Sequence, residues 1–193
     1  MHKLCCSLTF FLYLAIGLAT ASQKTSEVQR LFAELKQPTT TDDAAHAILE
    51  LANRDQGARG YVVHRLPEII EKRPTDPIWI NAVRLAGRLK ASETVAALMK
   101  ALPRGNVGQG TVTISEYMRL DTDLVGKALA EIGDASVTPL AEVLKHSDQS
   151  SRHRAAIILL NINSTLSRKV LRDDLQTEKD PSIRKLIESE LNS

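Results

Sequence analysis

Apolar residues along this chain recur at intervals of three and four positions, a period that places them on one face of an α-helix. Ala45, Ile48, Leu49 and Ala52 complete the helical template, whereas the strict alternation typical of a strand is almost absent. The pattern therefore predicts that the chain is nearly all helix beyond its N-terminal segment. The apolar stripes begin at Val28, Ala45, Val63, Ala82, Val95, Val125, Val137 and Ala155.

Helix boundaries are marked by residues that favour helix starts and stops. Asp76-Pro77 and Asp180-Pro181 each place a capping aspartate before a proline at the first helical position. Gly133-Asp134 predicts the end of one helix and the start of the next. Pro67 is expected to interrupt the less regular helix that carries Val63.

The spacing of the stripes indicates repeated helical hairpins. The first helices of successive hairpins start their stripes at steps of 37, 43 and 30 residues, and the second helices at steps of 32 and 42. Both long steps cross residues 103–115, and removing about a dozen residues there restores a step near 30. We therefore interpret 103–115 as a loop inserted between two repeats.

One segment carries a family resemblance. Residues 128–144, ALAEIGDASVTPLAEVL, resemble a HEAT repeat of the short bacterial, phycobilisome-lyase-like kind. Asp148 with Arg152, and Asp180 with Arg184, repeat an aspartate four positions before an arginine at an interval of 32 residues. These pairs resemble the ladder of hydrogen bonds that links neighbouring HEAT repeats. The resemblance thus implies a structural role for the four residues.

The resemblance implies a right-handed α–α superhelix, a HEAT-like solenoid of about four helical hairpins plus terminal helices. A hairpin of this kind covers its two apolar stripes only by stacking on its neighbours, and the resulting rod usually presents an extended surface to a partner. Second helices of HEAT-like rods tend to line the concave side, which implies a mixed-charge, partner-binding groove here. A solvated face without a partner is the alternative. The candidate residues are Lys100, Arg104, Glu142, Lys145, Arg168, Lys169, Arg172 and Asp173.

The N-terminal residues have the pattern of an export signal. A basic start at Lys3 precedes an apolar run over 8–18, and Ala19-Thr20-Ala21 is a small-x-small cleavage pattern. We expect residues 1–21 to be removed, leaving 22–193 as the repeat domain in the periplasm or outside the cell, with no membrane span. Retention as an anchor is the alternative, although the run is short for a span of roughly 20 residues.

Composition then narrows the function. Cys5 and Cys6 both lie in the signal, so the mature chain has no cysteine for a disulfide, a thiolate zinc site or nucleophilic catalysis. Of 25 basic and 23 acidic residues only Lys3 is removed with the signal, which leaves a net charge near zero. Such a balance gives no electrostatic basis for binding nucleic acid.

No motif specifies catalysis or a cofactor. Ser182 and Lys185 match the Ser-x-x-Lys spacing of penicillin-interacting enzymes, but the companion motifs are absent. No two histidines share the spacing of metal ligands, although a weak site around the turn between His146 and His153 is conceivable. We therefore expect no metal. The histidines beyond the signal are His46, His64, His146 and His153.

These observations favour an exported, non-catalytic scaffold that binds a protein partner, which the sequence does not identify. An enzyme or enzyme accessory related to bilin lyases is the alternative that the HEAT resemblance implies. Nucleic-acid binding in a helical groove is a third hypothesis, which the charge balance and the predicted export disfavour.

Overall fold

The computed structural model describes residues 26–35, 41–72, 77–102, 120 and 123–192 of the chain. All regular structure in these residues is helical, which confirms the all-α class. The α-helices are α1 (26–34), α2 (Thr41–Arg54), α3 (Gln56–Lys72), α4 (Pro77–Arg88), α5 (Val95–Ala101), α6 (Leu124–Ile132), α7 (Val137–His146), α8 (Gln149–Ile162), α9 (Thr165–Asp174) and α10 (Pro181–Leu191).

The predicted stripes supply the hydrophobic core. Every residue at which a stripe begins is buried except Ala45, which is half-buried while Ala44 beside it is only 1% exposed. The buried apolar residues form one continuous cluster from Val28 in α1 to Ile187 in α10. Burial of these side chains is the main favourable contribution to folding, at roughly 1.5–3 kcal/mol for each large aliphatic residue.

The first helices of the predicted hairpins contact one another in chain order. α2 packs on α4, α4 on α6, α6 on α8, and α8 on α10. Among the second helices, α3 packs on α5 and α7 packs on α9. These helices thus cover part of their apolar stripes with the corresponding helix of the next hairpin, although no such contact joins α5 to α7 among the described helix pairs in extensive contact.

The predicted boundaries agree with the structure where the structure describes them. The Asp180 carboxylate caps α10 by accepting a hydrogen bond from Ser182 N at 2.9 Å, and Pro181 occupies the first turn. α6 ends at Gly133, after which a short 3-10 helix leads into α7. Asp76, the other predicted cap, lies outside the described residues.

The predicted interruption at Pro67 is wrong, because α3 continues through this residue. Proline has no N–H to donate to the carbonyl four positions earlier, here that of Val63. Val63, Leu66 and Ile70 are nevertheless all buried. Their packing therefore outweighs the lost hydrogen bond, a tertiary effect that local propensity does not contain.

We expect Gly133→Ala to lower the free energy of unfolding by about 1–3 kcal/mol, because Gly133 has φ 83° and ψ −136°, a conformation essentially confined to glycine. The matched control is Gly60→Ala within α3, which should raise stability by about 0.4–1 kcal/mol. A Cβ at either position meets no atom within 4 Å. Urea unfolding measures both, and equal effects would contradict a backbone origin.

Two predicted features lie outside the described residues: the signal over 1–21 and the insertion over 103–115. Within the described helices, none has the length and apolar character needed to cross a membrane.

Candidate partner-binding surface

The candidate partner-binding residues lie on three second helices. Lys100 is on α5, Glu142 and Lys145 are on α7, and the α9 group consists of Arg168, Lys169, Arg172 and Asp173. All are exposed except Arg168, which is half-buried. Arg104 lies outside the described residues.

The candidates on α5 and α7 form ion pairs at the surface. Lys100 Nζ lies 2.8 Å from Glu71 Oε1 and so joins α5 to α3. Glu142 pairs with Lys145 at 3.3 Å and with His146 at 3.6 Å on the same helix. Exposed pairs of this type contribute about 0–1 kcal/mol, so a partner's charged groups can replace them at little cost.

In the α9 group, hydrogen bonds hold one cationic side chain in place, whereas the other two cations lack such bonds within the described residues. Arg168 donates to the Asn163 side chain at 2.8 Å and to the Leu191 carbonyl at 3.2 Å, which ties α9 to the end of α10. Lys169 and Arg172 form no hydrogen bond or ion pair with the residues that the structure describes.

Sequence analysis did not include Leu166 among the candidates. It is 42% exposed and is the large apolar side chain that stands out to solvent in the described part of the chain. Leu166, Lys169 and Asp173 are spaced by three and four residues, so they lie on one face of α9. A signal was present in the sequence, since Leu166 and the buried Leu171 are five positions apart, a spacing that does not place them on one helix face.

The four predicted ladder residues divide into two kinds. Arg152 pairs with both oxygens of the Glu178 carboxylate, at 2.9 and 3.2 Å. Asp180 accepts a hydrogen bond from the Gln149 side chain at 2.5 Å. Both interactions connect α8 to the residues just before α10. Asp148 instead caps its own helix through Ser151, and Arg184 bonds Leu175 and Glu188 nearby.

The Arg152 pair belongs to a buried polar junction. Burial would raise the pKa of Glu178, but hydrogen bonds from Arg152 and from the N–H groups of Asp180 and Lys179 outweigh it and lower the pKa. Neighbouring Asp174 has its pKa raised, by burial first and by the Glu178 charge second. One Asp174 oxygen is buried and has no hydrogen-bond partner among the residues that the structure describes.

A second buried ion pair was not anticipated from the sequence. Arg154 on α8 donates to both Asp123 oxygens, each at 2.5 Å, and the Asp123 side chain is only 1% exposed. Asp123 also caps α6 by accepting from Gly126 N at 2.7 Å. Because Arg154 bonds the Leu102 carbonyl as well, one guanidinium holds the chain positions on either side of residues 103–122.

The histidines have different surroundings. His46 and His146 each lie near a glutamate of the same helix, at 3.5 and 3.6 Å, and His64 is exposed. His153 is half-buried, and this burial lowers its pKa. In the ranges that the structure describes, no three His, Cys, Asp or Glu side chains form a group that could hold a metal ion.

The fold and this surface define the class of molecule as an all-α protein with helical hairpins in contact along the chain and a mixed-charge face on the second helices. No protein-family model matches the chain, and no curated protein is found to be its relative. The case for HEAT repeats therefore rests on the residues and helix contacts described above.

Proposed function

We propose that this protein is an exported, non-catalytic HEAT-like solenoid, a right-handed α–α superhelix that binds a protein partner. Two observations support a stacked array in which each hairpin packs against the next. The first helices contact one another in chain order, and the hydrophobic core is continuous. The signal pattern in residues 1–21 supports export.

The observation that carries the binding role is the exposure of α9. Of its ten residues only Ser167 and Leu171 are buried, so most of the helix is available to a partner. Leu166 supplies an apolar contact, Lys169 and Asp173 place charges on the same face, and Arg172 adds an exposed cation on the same helix. An apolar centre with a charged rim is the usual anatomy of a protein interface.

Affinity capture tests this proposal. Tagged protein is used to recover partners from the fraction outside the cytoplasm, and capture is compared with that by Leu166→Asp and Lys169→Glu variants. Loss of an apolar contact or reversal of a rim charge should reduce the recovered partner about tenfold or more. Lys185→Glu, which reverses an exposed charge on a different helix, α10, is the matched control.

Circular dichroism establishes that all three variants remain folded. Unchanged capture by both α9 variants would contradict the assigned surface. Recovery of nucleic acid or a pigment in place of protein would contradict the assigned class of partner.

A further inference from the structure

A narrow cleft separates α4 from α6 on the first-helix side of the molecule, away from the proposed partner surface. It has a volume of about 170 Å³, and Leu124 and Ala128 contribute to its lining. The two helices approach closely because Gly87 has no side chain: a Cβ there would lie 3.0 Å from the Ala128 Cα atom and 2.4 Å from a Glu131 oxygen. This close approach brings charged residues of both helices to the same cleft.

Three cations line the cleft. Arg84 and Arg88 come from α4, and Lys127 comes from α6. Arg84 and Arg88 are one helical turn apart, a spacing at which like charges repel each other. All three side chains are exposed, so their charged ends reach the ligand that enters from solvent.

The protein itself neutralises little of this charge. The side chains of Arg88 and Lys127 form no hydrogen bond or ion pair within the described part of the chain, and a carboxylate oxygen of Asp42 lies 3.9 Å from Arg84. Glu131 is the acidic residue that lines the cleft. The formal charge of the four lining groups is +2, and the Asp42 carboxylate near Arg84 lowers the local charge to +1.

We propose that the α4–α6 cleft binds a dianionic tetrahedral oxyanion of the phosphate class. Arginine offers paired N–H donors that match two oxygens of such an ion, and lysine adds a compact positive charge from the opposite wall. A bound dianion offsets the positive charge of the cleft and reduces the repulsion between Arg84 and Arg88. The phosphoryl group comes either from the free ion or from an ester on another molecule.

Titration of the purified protein at pH 8 and low salt tests the site, with two probes: inorganic phosphate and a capped phosphoserine. Amide signals in NMR spectra should shift around Gly87 and residues 124–131. Tighter binding of inorganic phosphate would identify the free ion as the ligand of the cleft, whereas tighter binding of phosphoserine would identify a phosphoryl ester. Shifts spread over the whole surface would overturn the proposal.

Charge variants give effects of opposite sign. Arg88→Gln and Lys127→Gln should each weaken binding about tenfold, because each removes a charged donor. Glu131→Gln should tighten binding about two- to fivefold, because it removes a like charge from the cleft. Lys185→Gln on α10 should leave the affinity unchanged. Unaltered affinity in Glu131→Gln, or equal weakening in all four variants, would overturn a specific site.

Discussion

Leu140→Asp is expected to abolish cooperative folding of the hairpins around α7. Leu140 is 0% exposed, and α7 contacts both α8 and α9. Loss of a buried leucine side chain costs about 2–5 kcal/mol, and a carboxylate stranded in its place costs several kcal/mol more. Because a domain of this size is stable by only about 5–15 kcal/mol, the sum approaches or exceeds the whole free energy of unfolding.

Thermal and urea unfolding, followed by circular dichroism, measures this effect. Leu166→Asp is the matched control, since it makes the same chemical change at a side chain that is 42% exposed, and it should alter stability by less than about 1 kcal/mol. Leu140→Met should cost less than about 1.5 kcal/mol because it keeps the volume and apolar character. Cooperative melting retained in Leu140→Asp would show that the assigned face of α7 is not the buried one.

The apolar stripes could be predicted because the residues that become buried recur along the sequence with the period of the α-helix. Once a helix forms, its 3.6-residue period fixes which side chains share a face, and Val125, Leu129 and Ile132 can reach the core only together. Caps were predictable for a similar local reason, since Asp180 bonds N–H groups two and three residues away.

Other features depend on contacts that local patterns do not contain. Pro67 is accommodated by the packing of α3, and the exposure of Leu166 depends on which helices leave α9 uncovered. In the candidate surface, sequence analysis named the charged residues of α9 because the HEAT resemblance implies that second helices line a groove. It missed the cleft between α4 and α6, since the approach of two helices at Gly87 has no signature in either helix alone.

The Arg154–Asp123 pair is the clearest example of a contact that the local sequence does not predict. Nothing in the local sequence indicates that Asp123 meets an arginine 31 positions later. In the structure the Arg154 side chain is 11% exposed, and the pair lies where α6 packs against α8. A buried charge is tolerated there because the partner charge and the backbone of α6 both satisfy it.

Arg154→Met should lower the free energy of unfolding by about 3–5 kcal/mol. Methionine retains much of the apolar stem but supplies no donor, so among the described residues the buried Asp123 carboxylate keeps only its hydrogen bond from Gly126 N. The Leu102 carbonyl also loses its bond to the guanidinium, and the chain positions flanking 103–122 are no longer held together. Urea unfolding of the two proteins gives the difference directly.

Two comparisons separate burial from the simple loss of an ion pair. Arg65→Met removes a 3.1 Å pair with Glu68 in which both side chains are about half exposed, and it should cost less than about 1 kcal/mol. The double variant Arg154→Met/Asp123→Asn should recover much of the loss, because asparagine still accepts from Gly126 N but strands no charge. If the double variant were no more stable than Arg154→Met alone, the cost would arise from the lost hydrogen bond to the Leu102 carbonyl and from lost packing of the guanidinium. The uncompensated carboxylate would then have no part in it.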